Sequence, residues 1–281
     1  MAEPVAPLVS TAWLAQRLGQ PGIRVLDASW YMPTEERDPK AEHAGAHIPG
    51  AVYFDIDAIC ERTDPLPHMF PTADQFARDV GALGVGNDHH VIAYDGGKMT
   101  ASARCWWMFR AFGHARASVL DGGLHKWRAE GRPLEAGAAA PKPARFEARP
   151  DRTMVKSLAE MRAIVREGAM QILDARSAGR FAGSEPEPRA ALRGGHMPGA
   201  HNLPYVELLN ADGTMKDEAG LRALFARSGV ETGRPIVTTC GSGVSAAVLL
   251  LGLERLGARG NALYDGSWTE WGGRPDTPIV A

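Results

Sequence analysis

Cysteine is scarce in this chain: Cys60, Cys105 and Cys240 are the only thiols in 281 residues, an odd number without a CxxC pair. That excludes a disulfide framework and argues against a cysteine-rich zinc site, and it makes a reducing cytoplasm the expected compartment. Long apolar runs are missing too. The longest, Val244 to Leu253, stops at Glu254, well short of the roughly 20 residues a spanning helix requires, so no membrane partner is expected. The opening MAEPVAPLVS lacks a basic start followed by an apolar core and does not read as a secretory signal. Neither sign of charge dominates, and a formal net charge of -2 gives no footing for nucleic acid. No Walker loop, dinucleotide fingerprint or metal-ligand cluster stands out, because Gly96-Gly97 reads only as a turn and His89-His90 lacks a spaced partner. Neither a metal nor a cofactor is expected.

What the chain does have, it has twice. Several features recur in the same order at an offset of roughly 145 residues, the length of a whole domain and not of a solenoid repeat. Val25-Leu26-Asp27-Ala28 answers Ile172-Leu173-Asp174-Ala175, and His47-Ile48-Pro49-Gly50-Ala51 answers His196-Met197-Pro198-Gly199-Ala200. Val91 to Gly97 answers Ile236 to Ser242, and Leu120-Asp121-Gly122-Gly123 with Trp127 answers Tyr264-Asp265-Gly266-Ser267 with Trp271. Between the halves, Glu135 to Arg152 is rich in alanine and holds three prolines, a composition that suggests an extended linker over the surface. Two domains are expected, over 1–137 and 153–281, joined by a linker at 138–152. Short β-branched runs alternate with amphipathic stretches such as Ala73 to Leu83 and Leu221 to Ser228. Parallel βα units follow, so each domain is expected to be α/β, a parallel sheet flanked by helices.

Most free cysteines are simply small buried hydrophobes. The surroundings of Cys240 argue otherwise. Pro235 to Thr239 reads as a buried central strand and Val244 to Leu256 as a helix, leaving Cys240-Gly241-Ser242-Gly243 as the turn between them. A thiol there stands at the carboxyl end of a strand, the ligand crevice of an open α/β sheet. Two glycines let successive N–H groups turn inward, and the helix adds its positive end. Such a cradle favours a nucleophilic thiolate and would equally hold a persulfide anion. The first half offers a control, since Asp95 stands at the equivalent position.

Cys240-Gly241-Ser242-Gly243-Val244-Ser245-Ala246 resembles the active-site loop of the rhodanese superfamily, in particular its 3-mercaptopyruvate sulfurtransferase branch. The likeness extends over essentially the whole chain, through Leu26-Asp27-Ala28-Ser29-Trp30, His47 to Ala51 and Gly266-Ser267-Trp268. It implies a tandem of two rhodanese-like α/β domains, the first non-catalytic and the second carrying the cysteine. It also implies sulfur transfer from 3-mercaptopyruvate through a Cys240 persulfide to a thiol acceptor, such as thioredoxin or a small thiol, or to cyanide. Thiosulfate-using relatives typically carry arginine and lysine directly after the cysteine, where this chain has Gly241 and Ser242. A dianion profits from such cations, so their absence favours mercaptopyruvate. Threonine is more usual in the family where Ser245 stands, but the hydroxyl is kept.

Arg180 and Arg189 occupy positions that match the family's substrate-binding arginines, while Arg176 is expected to be structural. Gly241, Gly243, Val244 and Ser245 would line the anion cradle. Asp57 and His68 resemble the acidic and histidine members of a Ser-His-Asp relay ending on Ser242, which implies a reaction between the halves. His47 and His196, present in both copies, read as turn residues. The rivals are a thiosulfate:cyanide sulfurtransferase, a non-catalytic rhodanese-like binding module, and a cysteine phosphatase. The last would need an arginine six positions after the cysteine, where Ala246 stands.

Overall fold

The computed structural model describes residues 5–137 and 139–281. Residues 1–4, the start of the amino-terminal stretch considered above, and Ala138, where the expected linker begins, lie outside the described residues. Two units form. The first comprises the described residues through Glu61, with Phe70–Pro150 and Leu209–Met215; the second comprises Arg62–Met69, Asp151–Leu208 and Lys216–Ala281. Two short segments therefore group with the copy to which they do not belong in sequence. For Leu209–Met215 the ties are visible: the Met215 N–H donates to Asp121 Oδ1 at 2.7 Å, and Asp212 pairs with Lys126 at 3.0 Å.

The first unit holds strands β1 (Leu8–Val9), β2 (Ile23–Asp27), β3 (Val52–Tyr53), β4 (His90–Tyr94) and β5 (Ala117–Leu120), in sheet order β1-β5-β4-β2-β3. The second holds β6 (Val155–Lys156), β7 (Gln171–Asp174), β8 (Ala200–Asn202), β9 (Ile236–Thr239) and β10 (Ala262–Tyr264), in order β6-β10-β9-β7-β8. The two orders are the same, and every pairing is parallel. The central strands β4 and β9 are buried along their whole length, as expected where helices cover both faces of a parallel sheet.

Local chemistry repeats as well. Ser10 and Ser157 each cap the helix that follows the first strand of their unit, accepting from the N–H three residues on. The turn glycines Gly50 and Gly199 both adopt positive φ, 74° and 75°. His47 and His196 each make an isolated antiparallel bridge, to Glu135 and Val280, and each ring Nδ1 meets a main-chain carbonyl. Trp127 and Trp271 are fully buried in the two cores, and their indoles donate to the carbonyls of Pro133 and Pro278.

The proline-rich stretch after Glu135 is extended and strapped onto the first unit. Ala144 N–H donates to Gly81 O, Arg149 N–H to Phe112 O, and Asn87 exchanges two hydrogen bonds with the Glu147 backbone. Phe146 is buried against Phe76, Phe109 and His114. No helix among the described residues is long and apolar enough to cross a membrane.

Candidate active site

β9 and β7 are neighbours, but the chain leaves β7 outward to β8 and leaves β9 in the opposite direction to β10. Their loops diverge at the carboxyl edge, and this divergence opens a crevice at the topological switch point. Cys240 is the first residue after β9 and is almost wholly buried, 2% exposed. The loop is fastened from below. Cys240 O accepts from Trp268 N–H at 2.9 Å, and Gly241 O accepts from both the N–H and the hydroxyl of Thr269, at 2.8 and 2.6 Å. These donors belong to the first turn of the helix Ser267–Trp271, whose N–H groups would otherwise lack intrahelical partners.

The helix after the loop spans Ala246–Arg255, so it begins two residues later than the sequence suggested. Gly243 at φ +76° bends the backbone away from helical geometry, and Val244 and Ser245 stay in the loop. Among the described residues, the amides of Gly241, Ser242 and Val244 donate to no protein acceptor. Uncommitted amides of this kind suit an anion beside Cys240, with Ser242 standing where the sequence reading had Gly243.

Two guanidinium groups roof this loop. Ser177 caps the short helix Ala178–Phe181, which carries Arg180. A methyl group placed on Gly241 would lie 3.0 Å from Arg180 Nη2 and 3.9 Å from Arg189 Nη1, so both guanidinium groups stand directly over position 241. Arg189 Nη2 also donates to Ser242 Oγ at 3.5 Å. Arg180 meets Glu187 at 2.6 Å. Glu187 bonds in turn to Arg176, whose buried guanidinium is tied to Asp174 and lies 4.2 Å over the Trp268 ring. Arg176 is thus part of the framework under the crevice.

The first unit shows what the same loop does without a thiol. Asp95 follows β4 as Cys240 follows β9, and its carboxylate accepts from the N–H groups of Gly97, Met99 and Ser102 and from the Ser102 hydroxyl, all within 3.1 Å. An anion fills the cradle from within. Over Gly96, where the second unit has Arg180, the Tyr31 hydroxyl would meet a β-carbon at 2.6 Å.

The rhodanese-like domain model matches residues 10–130 and again 157–274. The chain belongs to the rhodanese superfamily. Among the chain's relatives, the 3-mercaptopyruvate sulfurtransferase of Homo sapiens is 43% identical over 94% of this chain and 91% of its own length. The enzyme of that name from Escherichia coli K12 is 42% identical over 96% of both chains. The crystal structure of SseA from Escherichia coli, a 3-mercaptopyruvate sulfotransferase, superposes with a TM-score of 0.86 at 40% identity, covering 94% of this chain and 99% of that one.

Within the second unit, Cys240, Gly241, Ser242, Arg180 and Arg189 converge, with Gly243, Val244 and Ser245 completing the loop. His68 groups with the same unit through the segment Arg62–Met69; it is buried, with φ +61°. Asp57 belongs to the first unit, where the Trp30 indole donates to its Oδ2 at 3.0 Å. Three participants escaped the sequence reading: Glu187, Ser267 and Thr269. Glu187, in a stretch of charged residues and prolines with no buried pattern, has a side chain only 2% exposed. Ser267 stood opposite Gly123 in the repeat, a mismatch that could have flagged it.

Proposed function

We propose that this chain catalyses sulfur transfer from 3-mercaptopyruvate to a thiol through a persulfide on Cys240. The observation that carries the reading is the placement of Cys240 in an amide-lined loop roofed by Arg180 and Arg189, in a chain whose relatives named for this activity match it from end to end. The arginines hold the α-keto carboxylate by directed hydrogen bonds. Cys240 thiolate attacks the donor sulfur: an S–S bond forms, the C–S bond breaks, and its electron pair passes to carbon as pyruvate enolate. That carbon takes the proton released from the donor thiol, leaving pyruvate and a persulfide anion held by the amides of Gly241, Ser242 and Val244. Ser242, assisted by His68 of the same unit, carries the proton in this scheme. A thiol acceptor, a small one or that of thioredoxin, then removes the outer sulfur. Three free thiols fit a reducing compartment such as the cytoplasm.

Thiosulfate is a second donor to be measured, because a Cricetulus griseus relative 41% identical over 94% of this chain is named thiosulfate sulfurtransferase. Steady-state kinetics with both donors tests the assignment. The expected result is a higher kcat/KM for 3-mercaptopyruvate and no pyruvate release by Cys240→Ser. Pyruvate release by that variant would overturn the role of Cys240, and preference for thiosulfate would overturn the choice of donor.

A further inference from the structure

Glu187 is a carboxylate buried in a crevice proposed to bind an anion. Such a group repels the ligand unless its charge is spent on neighbours. Here Oε1 accepts from Arg176 Nη1 at 2.7 Å and Oε2 from Arg180 Nη2 at 2.6 Å. Arg176 cannot move toward a substrate: its Nε and Nη2 bind Asp174, and Nη2 also reaches Gly195 O at 2.9 Å. Glu187 is therefore anchored on one side and holds Arg180 on the other.

A guanidinium has a side edge, Nε with one Nη, and an end edge made by both Nη atoms. Glu187 takes the side edge of Arg180, with Nε to Oε1 at 3.3 Å. The end edge stays toward the loop: Nη2 stands closest to Gly241, and among the described residues Arg180 Nη1 bonds to no protein acceptor. The Arg180–Glu187 pair is neutral as a unit. It presents a fork of donors suited to a planar carboxylate while adding little net positive charge beside Cys240.

We infer that Glu187 determines donor selectivity, keeping the site suited to a monoanionic α-keto acid and unfavourable for the thiosulfate dianion. The inference rests on the sulfurtransferase reading above. Glu187 acts by orienting Arg180 and by the field of its own buried charge, and is a positioning residue. Glu187→Gln leaves the shape nearly unchanged but exposes the Arg180 charge, and Glu187→Asp keeps the charge while shortening the fork.

The test compares kcat/KM for 3-mercaptopyruvate and for thiosulfate in wild type, Glu187→Gln and Glu187→Asp. Glu187→Gln should shift the donor ratio toward thiosulfate by about tenfold or more. Glu187→Asp should keep the wild-type ratio and raise KM for 3-mercaptopyruvate. Equal losses on both donors in Glu187→Gln, or the same shift in both variants, would mean that Glu187 only supports the fold. Should Glu187→Gln not fold, Arg180→Gln is compared with the double variant Arg180→Gln/Glu187→Gln, which restores the wild-type charge. The inference expects relatively better thiosulfate use by the double variant, and an identical donor ratio in the two overturns it. Wild type that forms no persulfide with 3-mercaptopyruvate would fail the underlying reading; wild type that does, with an unmoved ratio in the variants, would fail this inference alone.

Discussion

Ser267 holds a left-handed backbone, φ +49°, at the position where the first unit has Gly123 at φ +53°. A β-carbon in that region costs about 1 kcal/mol relative to glycine, and the second unit retains it. The hydroxyl gives a reason: Ser267 Oγ donates to Tyr264 O at 2.8 Å and accepts from the Cys240 N–H at 3.3 Å. Strain at such a place points to a positioning role. Ser267→Gly should relieve the strain, leave the thermal midpoint within a few degrees of wild type, and lower kcat/KM roughly tenfold as the Cys240 backbone loses its tether. Ser267→Ala should keep the strain, orphan the buried Cys240 N–H and cost about 1–3 kcal/mol in urea denaturation. A fully active Ser267→Gly enzyme would remove Ser267 from the account. Sequence showed the Gly123–Ser267 mismatch but not its meaning, because a serine gives no sign of its φ until the loop it supports is seen.

Among the elements, the two loops that follow β4 and β9 carry the contrast between the units. Asp95 occupies its cradle with its own carboxylate, whereas the amides of Gly241, Ser242 and Val244 donate to no protein acceptor among the described residues. Asp95→Ala should therefore destabilise the first unit by about 2–3 kcal/mol, since buried donors lose their acceptor. Activity per folded molecule should stay near wild type; loss of both in proportion to unfolding fits, and loss of activity in fully folded protein does not. Much of this level was legible. Repeated signatures located the central strands β2, β4, β7 and β9 and placed Cys240 at a strand end. The start of the helix at Ala246 was not, because the apolar residue Val244 extends the helical pattern into a loop that Gly243 has already bent. Nor was the docking of the linker, where one phenylalanine, Phe146, is buried in a stretch whose composition reads as an extended surface linker. Phe146→Ala should cost about 3–5 kcal/mol by denaturant melting, and a loss near zero would mean that the strap is dispensable.

Across the whole molecule, buried histidines set the response to acid. Burial depresses both His90 and His114 to about 4, reinforced at His90 by the charge of neighbouring Arg116 and opposed at His114 by hydrogen bonds with the His89 and Arg116 backbone. His90 Nε2 pairs with Ser118 Oγ at 2.8 Å, and His114 lies among the rings of Phe109 and Phe146. Both are neutral when folded, whereas the unfolded chain takes up protons below about pH 6.5. Stability should be full above that pH and fall as pH drops toward 4, by on the order of 3 kcal/mol per histidine. His114→Gln should flatten the profile measured by urea midpoints between pH 7 and 4; an unchanged slope would assign the acid response to other groups. The duplicated α/β plan was legible from spacing alone, whereas the grouping of Arg62–Met69 with the second unit was not, because no local pattern reports which copy a loop packs on. The claim on which all of this turns is that Cys240 carries the sulfur. Purified protein exposed to 3-mercaptopyruvate and digested should yield the Cys240 peptide heavier by one sulfur atom, with the mass gain removed by dithiothreitol; an unmodified Cys240 peptide alongside released pyruvate would contradict it.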